Sequence, residues 1–189
     1  MTISAALLAG GQSRRMGEDK ATILFRNVPL WKIQLDLLRK LRPEELFVSA
    51  LIDPPWRPVD VQFVADQQPS RGPLSGIAAA LSIIKTEHLL ALAIDMPFMT
   101  ENYLRDLCQL AKLGRGIVPV FEDRAEPLAA IYPHRAGDDF TPALAGSDFS
   151  LQSLVRKLIK NGKLKPIQVS EEEKAFFRNL NEPRDLESS

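Results

Sequence analysis

The sequence predicts an α/β fold with a mostly parallel sheet covered by helices on both faces. Two observations carry that prediction. Unbroken apolar runs, Ile3–Ala9 and Leu89–Ile94 among them, have no polar alternation and so suit strands buried on both sides. These runs alternate with segments of helical periodicity, the pattern of strand–helix–strand units.

The elements follow in order. Ile3–Ala9 reads as the first strand. Pro29 opens a helix in which Leu30, Ile33, Leu37, Leu38 and Leu41 recur at helical spacing. Leu46–Ala50 and Val59–Ala65 read as strands, Ser75–Ile84 as a small-residue helix, and Leu89–Ile94 as a central strand. Glu101–Leu113 reads as a helix, and Gly116–Phe121 and Leu128–Tyr132 as strands. Ser150–Lys160 is amphipathic, with Leu151, Leu154, Val155, Leu158 and Ile159 on one face. Pro166–Val169 and Phe176–Leu180 read as short strands, followed by a short helix near Pro183. The proline-rich stretch Asp53–Pro58 reads as a stiff loop rather than a linker between domains.

Composition narrows the function classes. A chain of 189 residues suits one domain. Lys+Arg and Asp+Glu both number 24, so there is no basic excess of the kind that binds nucleic acid nonspecifically. No apolar run approaches the ~20 residues that span a bilayer. Cys108 is the single cysteine, which excludes an internal disulfide and a cysteine metal cluster and suits the cytoplasm. Its apolar neighbours Leu104, Leu107 and Leu110 favour a buried packing role over a nucleophile. His88 and His134 lie outside the loops of interest and read as surface residues.

Ligands of parallel sheets sit beyond the carboxyl ends of the strands, so the residues after Ala9, Ala65 and Ile94 matter most. After the first strand come Gly10 and Gly11, then Arg14, Arg15 and Lys20. Glycines permit positive φ and close approach of backbone amides to an anion, and the three cations offer charge to hold phosphates. The spacing fits neither the dinucleotide G-x-G-x-x-G fingerprint nor the Walker loop. Asp95 ends the central strand, before Pro97, and is a candidate ligand for Mg²⁺ bridging phosphates; a helix cap is the plainer alternative. Asp66 closes another strand. Gly72-Pro73 forms a turn, Ser75 can cap the next helix, and Gly76 allows close approach near its start.

These residues resemble a known family. Leu8-Ala9-Gly10-Gly11 with Arg15-Met16-Gly17 and Asp19-Lys20 looks like the signature loop of nucleotidyltransferases. Gly72-Pro73-Leu74-x-Gly76-Ile77, Asp95-x-Pro97-Phe98, Glu126–Tyr132 and Asn179-Leu180-Asn181-x-Pro183-x-Asp185-Leu186 resemble the MobA-like molybdenum cofactor guanylyltransferases. The resemblance implies a Rossmann-like three-layer α/β/α sandwich of the nucleotide-diphospho-sugar transferase type, one domain over residues 1–189. It implies transfer of GMP from GTP to the terminal phosphate of molybdenum-molybdopterin, forming the guanine dinucleotide cofactor and releasing pyrophosphate. Leu8, Ala9, Gly10, Gly11 and Asp66 would bind the nucleotide, and Lys20 and Arg15 its phosphates. Asp95 would hold Mg²⁺ as cofactor. Gly72, Pro73 and Leu74 would line the substrate site, and Asn179 and Asn181 would contact the pterin. Partners would be GTP, molybdenum-molybdopterin and other proteins of that cofactor's biosynthesis, with no nucleic acid and no membrane.

The family often carries an Asn after the second strand, whereas this chain has Ser49-Ala50-Leu51-Ile52-Asp53 there. Competing readings are a cytidylyltransferase for the same pterin, a sugar-phosphate nucleotidyltransferase, a GTP-binding module without transferase activity, and an α/β domain whose glycine loops are structural. The proposed nucleophile is an anionic phosphate oxygen, so no serine, cysteine or histidine is required to activate it.

Overall fold

The computed structural model describes residues 2–10 and 19–180. Ten strands occur in chain order: β1 (Ile3–Leu8), β2 (Leu24–Phe25), β3 (Val28–Pro29), β4 (Glu45–Ala50), β5 (Gln62–Ala65), β6 (His88–Ala93), β7 (Gly116–Phe121), β8 (Arg124–Ala125), β9 (Ala129–Pro133) and β10 (Leu164–Gln168). The α-helices are α1 (Leu30–Lys40), α2 (Pro73–Ile83), α3 (Glu101–Leu110), α4 (Gly137–Ala145) and α5 (Leu151–Lys160). The main sheet has the order β10-β7-β9-β6-β1-β4-β5, with β8 attached to β7 and β2-β3 forming a separate hairpin. β1 pairs in parallel with both β4 and β6. β4–β5 and β10–β7 are also parallel, whereas β9 runs antiparallel to β6 and β7.

The layers follow from the two-residue period of buried strands. Ala5 and Leu7 of β1, with Leu90 and Leu92 of β6, face a core shared with α1 and α3. Ala6, Leu8, Leu89 and Ala91 face the opposite core, shared with α2, α4 and α5. The expected three-layer α/β/α sandwich is therefore present. α5 buries Leu154, Val155 and Leu158 at helical spacing, each contributing roughly 1.5–3 kcal/mol relative to exposure. Its start is set by Ser150, whose hydroxyl accepts from the Ser153 amide.

Several sequence expectations change. α2 begins at Pro73 rather than Ser75, with Gly72 at the cap position; the Ser75 hydroxyl instead accepts from the Arg71 amide at 2.8 Å. Val59 and Asp60 lie outside β5, which starts at Gln62. Phe176–Leu180 is no strand: Glu173–Phe177 forms a 3-10 helix that turns Phe177 onto Tyr103 and Phe121, with ring centroids 5.3 and 5.0 Å apart. The helix expected near Pro183 lies outside the described residues. α4 and the β2-β3 hairpin are elements that periodicity did not indicate. His88 is fully buried at the start of β6, contrary to its reading as a surface residue, because the strand lies between two neighbours.

No described helix is long and apolar enough to cross a membrane.

Candidate active site

The chain enters the sheet at its centre, through β1, and the connections then run to both sides. β4 lies on one flank of β1 and β6 on the other, and α1 and α2 cover opposite faces. That arrangement is a topological switch point, where a crevice opens beyond the carboxyl ends of the strands. A cleft of about 380 Å³ lies there, lined by Leu8, Ala9, Gly10, Asp19, Lys20, Gly72, Pro73, Ala93, Ile94, Asp95 and Leu128.

Its floor is fixed by backbone bonds between strand ends. Ala9 N donates to Ser49 O at 2.8 Å, Ile94 N to Leu8 O at 3.2 Å, and Ala93 N to Leu128 O at 2.8 Å. Lys20 and Asp95 stand across the cleft, with Nζ 3.1 Å from Oδ2. The alternative cap role for Asp95 is not taken up: Thr100 caps α3 by accepting from the Tyr103 amide. The Asp95 carboxylate faces the cleft instead.

Asp66 occupies a different position from the one expected. Its carboxyl is buried, accepts from the Ser49 hydroxyl at 2.7 Å, and does not line the cleft. A Cβ at Gly10 would lie 2.5 Å from Asp66 Oδ2; one at Gly76 would lie 2.6 Å from Ser49 Oγ and 3.1 Å from Asp66 Oδ1. The carboxyl is thus packed beneath the first loop between two glycines. Gly10 is required for room and not for positive φ, which among the described glycines occurs at Gly72, Gly114 and Gly162. Burial pushes the Asp66 carboxyl above the usual carboxylate range, against the opposing pull of the Ser49 bond. Leu74 is likewise buried in the α2-side core and turns away from the cleft that Gly72 and Pro73 line.

A second cleft of about 410 Å³ is lined by Phe121, Arg124, Ala125, Glu126, Lys174, Phe177, Arg178 and Asn179. The two are linked through the backbone: Leu180 N donates to Asp95 O at 2.9 Å, which holds Asn179 of the second cleft close in the chain to a partner of Asp95 in the first. Glu126 is held above the usual carboxylate range mainly by burial, with the charge of Asp95 adding to the effect. Burial raises the Cys108 thiol to about 11, as expected of a packing residue. Gly11, Arg14, Arg15 and Asn181 lie outside the described residues.

The sequence reading gave no role to Glu126, although it stood in a quoted motif, and no place to Arg124, Lys174 or Arg178. Arg124 comes from β8, and Lys174 and Arg178 from the 3-10 helix Glu173–Phe177 and its end, so the three converge only in the fold.

The chemistry of the donor set allows a divalent cation. Among the described residues no cluster of three or more His, Cys, Asp or Glu side chains is gathered. Asp19 and Asp95 both line the cleft, and even one of these carboxylates fits Mg²⁺, which keeps several waters and is usually held by one or two carboxylates plus substrate phosphates.

The switch-point cleft, with a lysine and an aspartate on a mostly parallel sheet, is suited to an anionic ligand, and the family comparison makes the chain a nucleotidyltransferase. The family model described as the MobA-like NTP transferase domain matches residues 5–163, and the chain belongs to that family. A relative from Opitutus terrae named as a probable molybdenum cofactor guanylyltransferase is 33% identical over 186 residues, covering 97% of this chain and 92% of its own. One of the same name from Methanothermobacter thermautotrophicus is 31% identical, covering 97% and 96%. Among solved structures, molybdopterin-guanine dinucleotide biosynthesis protein A from Archaeoglobus fulgidus superposes with a TM-score of 0.76 at 23% identity, over 98% of this chain and 95% of that one. A Thermus thermophilus 2-C-methyl-D-erythritol 4-phosphate cytidylyltransferase superposes at 0.70 with 17% identity, over 100% and 97%. The fold is therefore shared by enzymes of different base and acceptor.

Proposed function

We propose that this chain, acting as one domain in the cytoplasm, transfers GMP from GTP to the terminal phosphate of molybdenum-molybdopterin and releases pyrophosphate. The observation that supports it most is that two clefts, one lined by Lys20 and Asp95 and the other by Asn179 with three cations, are linked by the backbone bond from Leu180 to Asp95. The relatives' names supply the choice of guanine and of pterin.

The triphosphate lies in the first cleft, against the backbone of Leu8, Ala9 and Gly10, with Gly72 and Pro73 opposite. Gly11 continues the phosphate cradle, and Lys20 and Arg15 neutralise the phosphates. Asp66 acts from below: it shapes the loop through Gly10 and Ser49 and supports the nucleotide site indirectly. The acceptor lies in the second cleft, where Arg124, Lys174 and Arg178 meet its anionic groups and Asn179 and Asn181 its pterin.

The acceptor phosphate is already anionic at neutral pH, so one of its oxygens attacks Pα without a side-chain base. The bond from Pα to the bridging oxygen breaks, and pyrophosphate leaves with that oxygen and the electron pair. The main obstacle is repulsion between two polyanions. Fixed charge and alignment reduce it, and the cations lining the two clefts would supply the charge. Asp95 would hold Mg²⁺, which supplies further neutralisation of phosphate charge.

The test is to supply each nucleoside triphosphate in turn with Mg²⁺ and molybdopterin and to measure pyrophosphate. Release with GTP alone is expected. Release with CTP alone would reassign the base, and no release with any triphosphate would refute transferase function.

A further inference from the structure

We propose that Trp56 is a positioning residue for the triphosphate, acting through Asp19 on Lys20. The inference rests on the nucleotide reading of the first cleft given above.

Asp19 lies in that cleft, directly before the lysine. Both oxygens of its carboxylate are engaged by neutral N–H donors, which leave it charged but fix where that charge stands. Oδ1 accepts from the Ala21 amide at 3.0 Å, and Oδ2 accepts from the Trp56 indole N–H at 2.9 Å. The first bond caps the 3-10 turn Lys20–Thr22 and sets the direction in which the Lys20 side chain leaves. The second anchors that cap to a distant loop. The turn is also closed by Thr22, whose amide and hydroxyl both donate to Asp19 O, at 2.9 and 2.8 Å.

The loop that brings Trp56 is built to hold still. The Arg57 guanidinium grips both oxygens of Asp53, at 2.7 and 2.8 Å, and also donates to the carbonyls of Pro58 and Val61. On its other side the indole stacks on Trp31 of α1, with centroids 5.8 Å apart and ring planes 15° from parallel. α1 is itself tied to the lysine segment, since Leu30 N donates to Ile23 O at 3.0 Å. Two tryptophans that the chemistry does not require thus form a frame around the Asp19-Lys20 turn. Trp56 touches neither phosphate nor reacting atom, and its effect reaches the triphosphate through the lysine.

Trp56→Phe keeps the aromatic stack and deletes the N–H donor. Its dissociation constant for Mg·GTP should rise about fivefold, the loss of one hydrogen bond. In a Lys20→Ala background the same substitution should change GTP affinity no further, because the group it positions is gone. Asp19→Asn, which weakens the same link from the other side, should lower affinity alone and add little to Trp56→Phe. A merely structural tryptophan would instead lower the melting temperature and leave this non-additivity absent. Unchanged GTP affinity in Trp56→Phe, or an equal fivefold loss in the Lys20→Ala background, would overturn the positioning role. Unchanged affinity in Lys20→Ala itself would overturn the nucleotide reading on which it rests.

Discussion

Gly76→Ala pits a local gain against a tertiary loss. Alanine is favoured over glycine inside a helix by about 0.8–1 kcal/mol, so propensity alone predicts a more stable protein. The structure predicts the reverse. The new Cβ would stand 2.6 Å from Ser49 Oγ and 3.1 Å from Asp66 Oδ1. The Ser49 hydroxyl is buried and cannot swing into water, and rotating it breaks its 2.7 Å bond to Asp66. A lost hydrogen bond to a charged group costs about 1.5–3 kcal/mol, and forcing a methyl into a packed site about 1–3 kcal/mol. After subtracting the helix gain, Gly76→Ala should destabilise by about 1.5–5 kcal/mol, or about 3–20 °C in melting temperature for a chain of this size. Urea unfolding at pH 7, read by circular dichroism, measures this. Adding Ser49→Ala removes the clashing oxygen, so the double variant should be more stable than the sum of the two single losses predicts. A Gly76→Ala protein as stable as the wild type, or strictly additive losses, would refute the close packing of Asp66 between two glycines.

Asp95→Asn should lower turnover by 100-fold or more, an order of magnitude typical of removing a charge-handling group at a reacting phosphate. Its melting temperature should shift by a few degrees at most, because the partly exposed pair with Lys20 is worth under about 1 kcal/mol; steady-state kinetics and a thermal melt separate the two effects. His88 supplies a pH signature of stability. Burial holds its pKa below the usual value, Nε2 donates to Lys112 O at 3.0 Å, and Nδ1 has no hydrogen-bond partner among the described residues. The unfolded chain therefore takes up a proton first. Stability should fall as pH drops from about 6.5 toward the lower folded pKa, with a slope of up to about 1.4 kcal/mol per pH unit. His88→Leu should flatten that acid limb in urea midpoints measured from pH 7 to 5.

The sheet was legible because its central strands are almost entirely apolar, with Ser4 and His88 the polar residues of β1 and β6, and the edge rule then pointed to Lys20, Asp95 and the glycines. What stayed hidden has physical causes. α4 contains Gly137 and Pro142 and buries only Asp139 and Phe140, so no apolar stripe marks it. It is held by long-range contacts instead, with Phe140 edge-on to Tyr132 and Asp139 paired to Lys163 at 2.6 Å. The 3-10 helix Glu173–Phe177 carries adjacent phenylalanines that read equally well as a strand, and packing against Tyr103 decided between them. Asp66 was rightly picked out at a strand end, but its direction depends on Ser49 and two glycines from other segments. The second cleft draws on segments about fifty residues apart, and the Trp56–Asp19 bond spans 37 residues. Neither leaves a local pattern.

The claim at the centre of this account is that two clefts linked through Asp95 pass a nucleotidyl group from one ligand to the other. Incubating the protein with molybdopterin, Mg²⁺ and GTP labelled at either the α- or the γ-phosphate tests it most directly. The account predicts that the α-label appears in a pterin dinucleotide and the γ-label in pyrophosphate. Label recovered as GDP and orthophosphate, or left entirely in GTP, would contradict it.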